Sequence, residues 1–144
     1  SDKYAGYPAD FIVTRFVLEH IDKPREFLAN IKKTVSDGTS QEKIFYFEVP
    51  NILYTLRDFG IWDLIYEHCS HFSAPSLTRL FEELDFQVMH VEEKYMGQFL
   101  SIEANTDNQS FSKYKPYTDM KEVHTLADQF SLSFRQKIPS WKDR

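Results

Sequence analysis

Apolar and polar positions alternate along this chain in two different periods, and the changes of period divide it into elements. Residues 9–18 (Ala-Asp-Phe-Ile-Val-Thr-Arg-Phe-Val-Leu) open with a near-continuous apolar, β-branched run. Such a run predicts a strand buried on both faces of a parallel sheet. Pro24 follows at a position suited to the first turn of a helix, with Asp22 before it as a cap. Phe27, Leu28, Ile31 and Val35 recur at helical spacing, and Asp37-Gly38 ends that helix before a polar loop from Thr39 to Glu42. Lys43 to Val49 is a second apolar strand, stopped by Pro50-Asn51. Strand, helix and strand at these lengths make a βαβ unit and imply a parallel pair.

Ile52 to Phe72 is rich in aromatic residues and has no dominant period. Ser73-Ala74-Pro75-Ser76 then opens a helix with Leu77, Leu80, Phe81 and Leu84 on one face. Gln87 to Glu92 alternates as a half-exposed strand does. Tyr95-Met96-Gly97-Gln98 is a turn, and Phe99 to Ala104 a last strand. A connection that short requires the two strands to be antiparallel. The predicted class is α/β, in the order β-α-β, long connection, α-β-β. The stretch from Asn105 to Tyr117 is polar, and Val123, Leu126, Ala127, Phe130, Phe134 and Ile138 mark a tail helix. The division expected is one unit over residues 1–105, then a linker and helix over 106–144 that pack on, or lead to, a further domain.

Composition narrows the function classes. With 144 residues and 42% apolar content the chain can bury one core and not two. A net charge of -5, with both signs dispersed, gives no basic surface for nucleic acid. No apolar run approaches the roughly 20 residues a membrane span needs, and no signal-peptide pattern opens the chain. Cys69 is the single cysteine, which rules out an intrachain disulfide and accords with a reducing compartment. A cytoplasmic protein acting on a small molecule is the expectation.

Several segments carry a more specific likeness. Asp10-Phe11-Ile12-Val13 with Val17-Leu18-Glu19-His20-Ile21, then Pro24, Phe27-Leu28 and Ile31, resembles the fourth strand and following helix of the class I S-adenosylmethionine (SAM)-dependent methyltransferases. Glu48-Val49-Pro50-Asn51 resembles the end of that family's fifth strand. Residues 62–73, which include Tyr66-Glu67-His68-Cys69-Ser70-His71, and Gly97-Gln98-Phe99-Leu100-Ser101-Ile102-Glu103-Ala104 at the final hairpin, are similar to the deoxysugar C-methyltransferase subfamily. The likeness covers roughly residues 9–105. It implies the C-terminal half of a Rossmann-like domain, SAM as cofactor, and carbon methylation of a small molecule such as a nucleotide-linked sugar. The family's glycine-rich SAM-binding loop has no counterpart here, since none of the four glycines forms G-x-G. The expectation is that the chain is cut at its start, and at Trp141-Lys142-Asp143-Arg144 as well, and that alone it binds SAM weakly or not at all.

The resemblance and the chemistry together nominate residues. Methyl transfer to carbon needs a base beside a carbonyl and a donor for the enolate. His68 suits the first task. The Tyr66 hydroxyl suits the second, with Glu67 orienting the imidazole. The sugar enzymes typically carry Tyr-His-Glu-His, one residue longer than the run here. Arg15, Phe16, Glu19 and His20 lie at the carboxyl end of a parallel strand, where open α/β sheets bind ligands, and in the resembling enzymes this turn lines the methionine part of SAM. A surface ion pair is the alternative there. Glu48, Asn51, His71 and Gln98 are substrate-contact candidates on the same rim, with turn or capping roles as the alternative. His20, His68, His71, Glu67 and Cys69 lack the spacing of a zinc site, so no metal is expected. Phe59, Trp62, Tyr66 and Phe72 suit either stacking on a ring or core packing. O- or N-methylation is the near alternative. A non-catalytic module that dimerises through an exposed sheet edge is the distant one.

Overall fold

A computed structural model describes residues 9–35, 42–106 and 120–142, with side chains through residue 139. Strands β1 (Phe11–Arg15), β2 (Ile44–Pro50), β3 (Gln87–Lys94) and β4 (Phe99–Asn105) form one sheet in the order β1-β2-β4-β3. Helices α1 (Pro24–Val35), α2 (Ile52–Asp58), α3 (Ala74–Glu82) and α4 (Met120–Lys142) complete the order, with 3₁₀ turns at Leu18–His20 and Ile61–Asp63. The expected sequence of elements is the one observed. The helix stop at Asp37-Gly38, the loop from Thr39 through residue 41 and the polar stretch over 107–117 lie outside the described residues.

β1 and β2 pair in parallel, with Arg15 opposite Glu48, so both strands finish on one rim. β4 runs antiparallel to both β2 and β3. Phe45, Phe47, Val49, Leu100, Ile102, Ala104, Val88 and Val91 share the face that α1 and α3 cover, through Leu28, Leu77 and Phe81. Phe47 meets Phe81 edge to face at 5.3 Å, and Phe45 meets Phe86 at 4.8 Å. Lys32 on α1 donates to the carbonyls of Leu84 and Asp85 beyond α3, tying the two helices together. α3 begins where the sequence predicts. Ser73 and Ser76 exchange hydrogen bonds as a capping box, and Pro75 sits in the first turn.

Two expectations need correction. β1 is not buried on both faces: it stands at the edge of the sheet, and Phe11 and Val13 are 59% and 49% exposed. The strand also stops short of residue 18, at Arg15. Phe16 turns into the left-handed region (φ 55°), and Leu18–His20 form the 3₁₀ turn instead. The long connection holds more order than its pattern discloses. Asn51 caps α2 by accepting from the Leu53 amide, and a parallel bridge joins Asn51 to Phe72. The tail helix packs on α2: Phe130 stacks on Phe59 at 5.1 Å, Lys137 lies over the same ring, and Arg57 pairs with Glu122.

Candidate functional site

The carboxyl ends of β1 and β2 set up three distinct groupings of the nominated residues. The first follows β1 directly. The 3₁₀ turn buries Leu18 and Glu19 and leaves His20 exposed. The long connection folds over that turn: the amides of Cys69 and Ser70 both donate to the Glu19 carbonyl, at 2.8 and 3.1 Å. This brings His68 against His20, ring centroids 4.8 Å apart, with His71 6.3 Å from His68.

Main-chain carbonyls fix both imidazoles. His20 Nδ1 lies 3.1 Å from the Glu67 carbonyl, and His68 Nδ1 lies 2.7 Å from the Asp63 carbonyl. A carbonyl only accepts, so each Nδ1 carries the hydrogen and each neutral ring keeps its lone pair on Nε2. Beneath them Glu19 is 2% exposed, and its Oε2 is buried without a hydrogen-bond partner. Burial pushes this carboxyl above the usual carboxylate range, against the opposing pull of its own main-chain hydrogen bond and of His20 and His68. Asp63 Oδ2 is likewise buried and unpartnered, and burial pushes that carboxyl up too. Burial pushes the His71 imidazole down, with His68 adding to the effect.

Tyr66 and Glu67 stand apart from this cluster. The Tyr66 side chain is 93% exposed, and Glu67 contributes its carbonyl to His20. The contact that orients His68 comes from Asp63, a residue no sequence reading singled out. It acts through its main chain, which leaves no mark on residue type. Trp62 is also exposed, Phe72 belongs to the core, and Cys69 is an exposed free thiol.

The second grouping lies on the uncovered face of the sheet. Arg15 grips the buried Glu48 carboxylate in a two-pronged ion pair, at 3.2 and 2.9 Å, and the Tyr46 hydroxyl donates to the same group at 3.1 Å. The hydrogen bond and charge of Glu48 hold Arg15 further above its ordinary value. Arg15, Tyr46, Glu48, Lys94 and Tyr95 line an open depression of about 530 Å³. Phe16 leaves β1 beside it, its amide donating to the Glu48 carbonyl and its ring edge-on to Phe99.

The third grouping is structural in its contacts. Asn51 is 1% exposed; besides capping α2 it donates to the Gly97 carbonyl and to Glu93. Its amide donates to the Gln98 carbonyl, so Gln98 meets Asn51 through the main chain.

The sequence matches the methyltransferase domain family over residues 1–91, well over half of the chain. The chain belongs to this family. No curated protein matches it. Among solved structures, this chain is similar to a crystal structure of a SAM-dependent methyltransferase, a possible histamine N-methyltransferase, from Thermotoga maritima. Identity is 13% and the TM-score 0.49, over 68% of this chain and 56% of that one. The chain thus spans little more than half the length of that structure. Among the described residues no helix is long and apolar enough to cross a membrane.

Proposed function

We propose that this chain contributes the acceptor side of a SAM-dependent methyltransferase acting on a small molecule, with carbon methylation of a nucleotide-linked sugar as the specific reaction. One observation carries this reading. Two imidazoles and a buried carboxyl converge at the carboxyl end of β1, and in the neutral form of each imidazole a Nδ1 hydrogen held by a carbonyl leaves the lone pair on Nε2. A histidine so fixed presents a nitrogen lone pair that can take a proton from an acceptor.

The fit to SAM rests on the β1 turn. Phe16 holds a left-handed backbone, uncommon for an aromatic residue, at the end of a parallel strand where ligands settle in open α/β sheets. Arg15, Phe16, Glu19 and His20 would hold the methionine end of the cofactor. SAM, when bound, supplies an electrophilic methyl group. His68 takes the proton from the acceptor carbon through Nε2, oriented by the Asp63 carbonyl. Tyr66 and Glu67 project from the same segment toward solvent, where an acceptor would meet them. Glu48, His71 and Gln98 complete the acceptor contacts in this reading, while Asn51 holds the rim that carries them.

His68→Gln in the full chain tests this, assayed with a chelator present. Methyl transfer to a keto-sugar nucleotide is expected to fall about 10²–10⁴-fold. Exchange of the substrate proton beside the carbonyl is expected to stop. Exchange at the wild-type rate would remove His68 from the role of base, and transfer to an amine or hydroxyl alone would replace carbon by nitrogen or oxygen as the acceptor.

A further inference from the structure

The ligand atoms of Glu19, His20 and His68 all lie within 4.8 Å of one another. They come from two segments 48 residues apart in sequence, joined by the main-chain hydrogen bonds from Cys69 and Ser70 to Glu19. We infer that these three side chains form a binding site for a divalent first-row transition-metal ion of the zinc class. This goes beyond methyl transfer and does not depend on it.

Three features point to a cation. The donor set is two imidazoles and one carboxylate, which favours zinc-class ions over magnesium or calcium, whose sites are built from oxygen. Both histidines donate Nδ1–H to a main-chain carbonyl, at 3.1 and 2.7 Å. That is the outer contact that metal-ligating histidines habitually make, and it leaves Nε2 as the nitrogen with a lone pair to offer. Finally, Glu19 Oε2 is buried and has no hydrogen-bond partner, and an acceptor so placed is costly unless something satisfies it. A cation between the three groups would satisfy it.

Metal–ligand bonds of about 2.0–2.2 Å would draw the three atoms roughly 1 Å closer together. His20 is exposed and His68 half-buried, so the approach is open on the imidazole side and further coordination positions remain for water or an acceptor. A cation and a proton cannot share the Nε2 lone pair of His68. Metal occupancy therefore converts the proposed base into a ligand.

Calorimetric titration of Zn²⁺ into the full chain, without SAM or acceptor, tests the site. Co²⁺ serves as a spectroscopic probe of coordination number. One equivalent of Zn²⁺ is expected to bind. H20A and H68A should each weaken it at least about tenfold, and H90A and H124A should leave it unchanged. His20 lies at the surface, so H20A decides the matter even if H68A or E19Q proves unstable. Absence of binding, binding indifferent to H20A, or displacement of Zn²⁺ by millimolar Mg²⁺ would each overturn the inference. Because no methyl donor is present, failure here leaves the methyltransferase reading intact, and failure of His68 as a base leaves this one intact.

Discussion

The two faces of the sheet are built on different terms. One carries Phe45, Phe47, Val49, Leu100 and Ile102 and lies under α1 and α3, where ring meets ring edge to face. The other carries Phe11, Val13, Arg15, Tyr46, Glu48 and Lys94, with two apolar side chains open to solvent and an ion pair lodged among aromatic rings. The register puts the faces one residue apart: Thr14 stands beside Phe47, and Arg15 beside Glu48. Alternation along two strands thus separates the side chains packed under the helices from those turned to the other face.

Four substitutions probe this contrast. The largest effect is expected at Phe81→Ala on the covered face, about 3–5 kcal/mol of stability in urea unfolding. Phe11→Ala on the open face should stay within about 0.5 kcal/mol. Similar losses at both positions would mean that the open face is packed as firmly as the covered one. Next comes Arg15→Ala, which leaves the buried Glu48 carboxylate with Tyr46 as its remaining side-chain donor. It should cost about 1–3 kcal/mol, as an acceptor deprived of a charged partner does. Unchanged stability would show that the ion pair contributes nothing to holding the rim.

The smallest effect belongs to Glu83, on the covered side but at the surface. Hydrogen bonds from Arg79 first, and then Arg25, hold its carboxyl below the usual carboxylate range. A depressed acid stabilises the fold above its unfolded pKa, and the contribution disappears as pH falls through the folded value. Between pH 5 and 3 the wild type should therefore lose slightly more thermal stability than Glu83→Gln. Parallel melting curves for the two proteins over that interval would count against the pairing.

Much of the fold was legible because local pattern and tertiary need agreed. The β3–β4 hairpin announced itself by alternation and a short turn, and α3 by Ser73, Pro75 and Ser76. The status of β1 was not legible. An apolar run looks the same whether a neighbour covers it or not, and burial is decided by partners distant in sequence. The long connection hid its order for a related reason: many of its fixed points are main-chain contacts, such as Ile52 to Phe72 and His68 to Ile65, which any residue type can make. At the rim, sequence nominates Glu19, His20 and His68 as single residues. It could not say that they meet, because 47 intervening residues must first fold back over the β1 turn. Arg15 and Glu48 were read as separate contacts and turn out to bind each other.

Asn51 ties together parts of the molecule that its short side chain scarcely spans. It holds the first turn of α2, the carbonyl at the tip of the last hairpin and, through the main chain, both Gln98 and Phe72. The segment bearing His68 ends four residues on, at Phe72. One buried amide thus links the hairpin tip to the segment that carries the histidine pair.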